Sequence, residues 1–337
     1  MSATKKRKLE HVEIAVKKDV QFKKSAGFSE IELVHNSLPE LDFSKIDASA
    51  NFLGKMLSAP LVLEAMTGGY PEGGKINRKL AEVAEKEGIA LGLGSQRAMI
   101  EDSSLAKTYS VRDVAPTIPI IGNIGAYQLK KYPMQKIESM VSAIKADALA
   151  VHLNPLQEII QPEGDRDYSG ILEAIEKACS FLSVPVIVKE TGCGISRNVA
   201  ERLKSAGVKY LDIAGAGGTS WSAIEYARGE GVTGFCEWGI PTVASVIANR
   251  DVLPLIASGG LRSGIDAAKS IALGASFAGA AQPFLHAYSK NKLSEEVKLW
   301  KEQFAVCMFL TGSRNVESLK KAKIFIPSSI REYASQL

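Results

Sequence analysis

Hydrophobic residues in this chain fall into short unbroken runs, separated by stretches in which they recur every three or four positions. The runs begin near Leu61 (LVLEAM), Ile89 (IALGLG), Ile118 (IPIIGNIG), Ala148 (ALAVHLN), Pro185 (PVIVKE), Tyr210 (YLDIAGAGG), Pro254 (PLIASGG) and Phe277 (FAGAAQP). A strand with one wet face alternates; an unbroken run belongs to a parallel strand buried on both faces. Between the runs, helical spacing predicts helices over residues 76–86, 136–146, 171–182, 197–206, 242–249 and 265–273, and a closing helix over 295–310. Gly207 and Gly274 stop two of them.

Strand–helix repeats in this number, with no linker between them, predict an α/β fold of the (β/α)8 TIM-barrel type, formed as one domain over residues 1–337. A doubly wound open sheet is the alternative that a strand count leaves standing. Residues 1–58 are polar and irregular apart from a β-like run at 30–34, and read as an N-terminal extension packed on the barrel. Helices after the last strand close the structure.

Composition narrows the class. With 46% hydrophobic and 23% charged residues, the chain is an ordinary globular protein with a large core. A net charge of +4 is too mild and too spread to imply nucleic acid, and the basic run at residues 5–8 reads as a solvated tail. No apolar stretch is long enough to cross a membrane, and no apolar leader opens the chain. Cys179, Cys193, Cys236 and Cys307 are scattered, without metal spacing, which suits a reducing compartment. The expectation is a cytoplasmic enzyme with no nucleic-acid or membrane partner.

Chemistry concentrates where the strands end. In a barrel those ends converge on one face, so the residues after each run should share a site. They are Ala65, Met66, Thr67 and Gly68; Ser95, Gln96 and Arg97; Asn123; His152 and Asn154, followed by Gln157 and Glu158; Lys189; Gly218 and Thr219; Gly259, Gly260, Leu261 and Arg262; and Ala281 and Gln282. The segment HLNPLQE alone is an ordinary polar loop. Similar ends on the other strands make it part of a site.

The glycines after the late strands let backbone N–H groups approach a phosphate, with Thr219 as a hydroxyl donor. Lys189 at a barrel mouth should face an anion or a polarised carbonyl, and a reduced flavin offers both; a structural ion pair with Glu190 or another carboxylate is the alternative. A second cluster, Arg7, Lys8, His11, Arg97, His152 and Asn154 with the single carboxylate of Glu158, suits a diphosphate–Mg²⁺ complex, because Mg²⁺ takes much of its shell from phosphates and water.

Taken in order, RKLEH, MTGG, GSQR, HLNPLQE, VKE, GAGGTSW, WGIPT and SGGLRSG make the chain resemble the flavin-dependent type 2 isopentenyl diphosphate isomerases, of the archaeal kind, over nearly its full length. The resemblance implies an FMN-bound barrel that interconverts isopentenyl and dimethylallyl diphosphate with reduced FMN and Mg²⁺, NADPH as reductant, and assembly as a homotetramer or larger oligomer. Carried over by motif, FMN would be held by Ala65 to Gly68, Ser95, Asn123, Lys189, Gly218, Thr219, residues 259–262, Ala281 and Gln282. Substrate would be held by Arg7, Lys8, His11, Ser95, Gln96, Arg97, His152, Asn154 and Gln157, with Gln157 also catalytic and Glu158 on the metal; residues 1–58 would thereby contribute to the substrate site. Some members of the family have Ser near Ala214 and Leu where this chain has Gln282, departures that put individual flavin contacts in question. The rival readings are an FMN-dependent 2-hydroxy-acid oxidoreductase and a flavin-binding protein without catalysis. The first needs a His base near the late strands, where none is found. Residues 229–238, rich in glycine, are a candidate lid.

Overall fold

The computed structural model describes residues 3–337 apart from Glu230, Gly231 and Thr233, with side chains from Glu10 onward. The candidate lid therefore lies partly outside the described residues. Eight strands follow the predicted runs: β1 (Leu61–Leu63), β2 (Ala90–Gly92), β3 (Ile120–Gly125), β4 (Ala148–His152), β5 (Val186–Lys189), β6 (Tyr210–Asp212), β7 (Leu255–Ala257) and β8 (Phe277–Ala280). Each pairs in parallel with the next, and β8 pairs with β1, so the sheet is a closed barrel and the open-sheet alternative is excluded. Closure explains the unbroken apolar runs: one face packs on the helices, the other into the barrel.

The predicted helices stand within a few residues of their expected bounds, Thr242–Asn249 at the same residues and the closing helix as Leu293–Leu310. The opening region differs from expectation. Ala3–Lys17 is a helix, not irregular chain, and its residue His11 packs edge-on against Trp221, with ring centroids 5.2 Å apart. The run at 30–34 shrinks to a strand, Glu32–Leu33, paired antiparallel with Ile324–Phe325.

A hairpin, Ala50–Phe52 with Lys55–Leu57, seals the N-terminal end of the barrel. Lys55 Nζ reaches Asp147 Oδ1 at 2.7 Å and donates to the Ile118 carbonyl at 3.0 Å, both just ahead of their strands. Phe52, fully buried, enters the barrel beside Phe277, with ring centroids 4.1 Å apart, and packs on Val62, Ile121, Ile187 and Ile256. Phe52→Ala would leave a cavity that these backbone-anchored residues cannot fill. The expected loss is about 3–5 kcal/mol, read as a lowered denaturant midpoint.

Candidate active site

At the opposite end the strands open into a cavity of about 290 Å³. Its wall brings together Ala65, Met66, Thr67, Ser95, Arg97, Asn123, His152, Asn154, Gln157, Glu158, Lys189, Gly218, Thr219, Gly259, Gly260, Leu261, Arg262, Ala281 and Gln282, with His11 from the N-terminal helix. Residues far apart in sequence meet because a barrel points every strand end at one face. The side chains of Arg7 and Lys8 lie outside the described residues.

Gln96 and Gly68 are exceptions. Gln96 is fully buried; its Oε1 accepts from Asn123 N at 2.9 Å and its Nε2 reaches Met99 Sδ at 3.1 Å. The expected substrate contact is therefore corrected: Gln96 turns inward and fixes the Asn123 backbone. Gly68 lies behind the wall, where an added Cβ would fall 2.1 Å from the Tyr109 ring.

One half of the cavity is walled by glycine turns and hydrogen-bond donors. A Cβ on Gly218 would come within 2.6 Å of Gly260 N, so the turns after β6 and β7 touch backbone to backbone. Arg262 Nη2 donates to Gln21 Oε1 at 2.7 Å and Nη1 to Gln282 Oε1 at 3.1 Å, while Gln21 Nε2 donates to Thr219 Oγ1 at 3.3 Å. A guanidinium, a hydroxyl and glycine N–H groups at one place form a donor set that fits the phosphate end of FMN.

Lys189, deeper in the mouth, does not face an open anion site. Its Nζ lies 3.0 Å from Asp212 Oδ2 and 3.8 Å from Glu64 Oε2, and donates to the Glu190 carbonyl at 3.0 Å. The structural-pair alternative holds in altered form, because the Glu190 carboxylate is engaged elsewhere. It accepts the backbone N–H groups of Thr191, Gly192 and Cys193. Burial pulls the Lys189 ammonium down, but Asp212 and Glu64 outweigh it and raise its pKa.

The other half is polar. His152 Nδ1 sits 2.7 Å from Asn123 Oδ1. Pro155 opens a short helix, Pro155–Ile160, which carries Gln157 and Glu158 on its first turn. Asn154 Nδ2 donates to Gln157 Oε1 at 3.1 Å and to Glu158 Oε1 at 2.9 Å, while Gln161 Nε2 and Asp165 N hold Glu158 Oε2 at 2.8 Å each. Gln161 Oε1 is buried without a hydrogen-bond partner beside this carboxylate. Arg97 is braced by Glu101 at 2.8 Å and lies 3.8 Å from Asp165. Among the described residues no group of three or more His, Cys, Asp or Glu side chains is placed to hold a metal.

Sequence reasoning missed Glu225, from the short helix Trp221–Ala227. It is fully buried, accepts from Gln157 Nε2 at 2.9 Å, has His11 Nε2 at 3.1 Å from Oε1, and pairs through Oε2 with Arg228 at 2.6 Å. Burial raises its pKa, but His11, Gln157 and Arg228 together outweigh burial and hold it down to about 2. Glu225 is a fixed anion behind Gln157. The signal available in sequence was the four-residue spacing from Trp221, which puts both side chains on one helix face. Glu64, Asp212 and Gln21 were missed as well.

A family model described as FMN-dependent dehydrogenase matches residues 131–325, more than half of the chain. The chain is 46% identical over its whole length to an isopentenyl-diphosphate delta-isomerase of Methanosarcina barkeri, covering 96% of that protein. It is 48% identical over 94% of its length to one of Rickettsia felis, again covering 96% of the relative. Its fold is similar to that of a mandelate oxidase mutant with a monooxide FMN adduct, with a TM-score of 0.63 and 15% identity over 94% of this chain and 92% of that one.

Proposed function

We propose a function on one premise: the chain belongs to the isopentenyl-diphosphate delta-isomerases of the FMN-dependent type 2. It is an isomerase, and our reading is that it interconverts isopentenyl and dimethylallyl diphosphate with FMN in its reduced state, Mg²⁺ at Glu158, and NADPH as reductant, in the cytoplasm. Among the described residues no helix is long and apolar enough to cross a membrane.

The observation that carries this reading is Gln157 on the cavity wall beside Glu158, backed by the buried Glu225. The net reaction adds a proton at one carbon, removes one from another, and passes through a tertiary cation. When bound, reduced FMN supplies negative charge and a proton-exchanging ring in a site that excludes water. The chain does the rest. Glu225, held ionised, lowers the energy of positive charge developing nearby and fixes Gln157 through its Nε2. That leaves Gln157 Oε1, already accepting from Asn154, with a second lone pair to receive a hydrogen bond or a proton. Glu225 itself, held near 2, is too weak a base to take the proton outright. Arg97 and His152 on the same wall would present donors to a diphosphate, while Asn154 spends both amide hydrogens on Gln157 and Glu158 and orients them.

Mg²⁺ fits as a shared ion. One oriented carboxylate, with the orphaned Gln161 Oε1 beside it, leaves most of the shell to substrate oxygens and water. Glu158→Gln should shift the Mg²⁺ titration of activity at least tenfold upward. An unchanged titration would place the metal elsewhere.

Anaerobic conversion of isopentenyl to dimethylallyl diphosphate, with FMN, Mg²⁺ and NADPH or dithionite, tests the whole reading. Conversion without stoichiometric use of reductant supports it. A yellow, folded protein without conversion would favour the hydroxy-acid oxidoreductase. The proposed homotetramer or larger assembly is checked by sedimentation.

A further inference from the structure

Four polar side chains meet at the floor of the cavity: Glu64 after β1, Lys189 at the end of β5 and Ser258 after β7, which line it, and Asp212 at the end of β6 behind them. The side chains of Glu64, Lys189 and Asp212 are 9%, 11% and 3% exposed. Asp212 is satisfied on both oxygens, by the ammonium at Oδ2 and by the Ser258 hydroxyl, which donates to Oδ1. Glu64 is not: Oε2 stands 3.8 Å from the ammonium, and Oε1 is buried with no partner. Room for that oxygen depends on Gly279 of β8, where an added Cβ would lie 2.3 Å from it.

Two carboxylates thus face one ammonium away from water. Ionised together they leave a net negative charge in the mouth; one proton cancels it. The other charged group acting here, the Glu190 carboxylate, is turned to three backbone N–H groups. We infer that Glu64 holds the exchangeable proton of this cluster, taking up a proton from solvent when the bound flavin accepts two electrons at a pH where the carboxylate is still ionised. The inference rests on the proposed reading that FMN occupies this cavity. The electrons come from the dihydronicotinamide reductant and end on the flavin; Glu64 changes only from carboxylate to carboxylic acid.

Burial, then the adjacent Asp212 charge, pushes Glu64 up to about 8, against the pull of Lys189. Burial raises Glu190 as well, to about 7, but its carboxylate keeps three backbone N–H groups, whereas Glu64 has an unpartnered oxygen and a second carboxylate beside it. Negative charge on the flavin pushes Glu64 further up, and by linkage the proton makes reduction easier.

The test is the two-electron reduction potential of the FMN-loaded protein against pH, for wild type and Glu64→Gln. Above pH of about 8, the wild type is expected to fall more steeply, taking up an additional fraction of a proton per electron pair, and Glu64→Gln to lose that excess. Asp212→Asn, which removes the competing charge, should move the steep segment to lower pH. Coincident slopes in wild type and Glu64→Gln would overturn the inference and leave the isomerase reading intact. Infrared spectra of FMN-free protein give an answer that needs no flavin: a protonated-carboxyl band at neutral pH, absent in Glu64→Gln and, if Gln is not tolerated, displaced in Glu64→Asp. A missing band in wild type would also overturn it. Folded protein that shows the band but binds no FMN would instead refute the functional reading.

Discussion

Lys189→Met is expected to destabilise the protein by about 3–5 kcal/mol and to lose FMN, because it strips the ammonium from beside two buried carboxylates. The loss comes mainly from Asp212, which lies closer to the ammonium and would be left with a hydroxyl as its sole partner. Adding Asp212→Asn should therefore recover more of it than adding Glu64→Gln. Acid should narrow the gap as well, since protonating the carboxylates removes the uncompensated charge. Denaturant midpoints of the single and double variants at two pH values, with bound FMN read by absorbance, decide the matter. A single variant as stable and as yellow as wild type would show that the ammonium compensates nothing. In wild type the sign is set by Glu64: its folded pKa is raised, so the folded state binds more protons than the unfolded one. Its stabilising contribution is complete below 4.5, the ordinary value, and is lost as pH rises toward about 8.

Gln157→Asn is expected to lower turnover by roughly 10- to 100-fold, with KM and FMN affinity little changed. Shortening the side chain by one methylene breaks its bond to Glu225, and a hydrogen bond to a charged group contributes about 1.5–3 kcal/mol. Glu225→Gln keeps size and contact but removes the charge, leaving Arg228 with a weaker partner, so it should depress turnover and also cost stability. If the two residues act as a unit, the double variant will be no slower than the worse single one. Multiplying effects would mean that Glu225 acts on the reacting atoms independently of Gln157. The pH dependence has the opposite sign to that of Glu64. With its folded pKa held down to about 2, Glu225 stabilises fully above 4.5 and loses that contribution as pH falls. The stability deficit of Glu225→Gln should then shrink in acid.

The barrel was legible because each strand is buried on both sides, which writes an unbroken apolar run, and because the polar break after each run is where the mouth begins. The residues that tune the mouth were not. Glu64 is a single carboxylate inside LVLEAM, and nothing in that run reveals that Gly279, on a strand from the far end of the chain, makes room for it. Glu225 sits in a short helix whose partner, Gln157, arrives from another strand end. Gln96 misled because a polar residue at a strand end looks like a ligand contact, while its rotamer turns it toward Asn123 N. The N-terminal helix escaped because its sequence is polar and its order comes from contacts such as His11 with Trp221. Patterns along the chain report burial of a whole element; the direction of one side chain is settled by neighbours that the pattern does not contain.

The pairing that closes the barrel has a consequence for biogenesis. Leu61 of β1 lies beside Ala278 of β8, strands from opposite ends of the barrel sequence. A nascent chain emerging from the ribosome can stack β1 to β7 side by side, yet the outer edge of β1 stays unpaired until β8 has been translated. Unpaired edges recruit other strands. Slow translation, or truncation ahead of β8, should therefore yield aggregates and chaperone-bound chains, not a smaller stable protein, because β8 decides whether β1 can find its second neighbour.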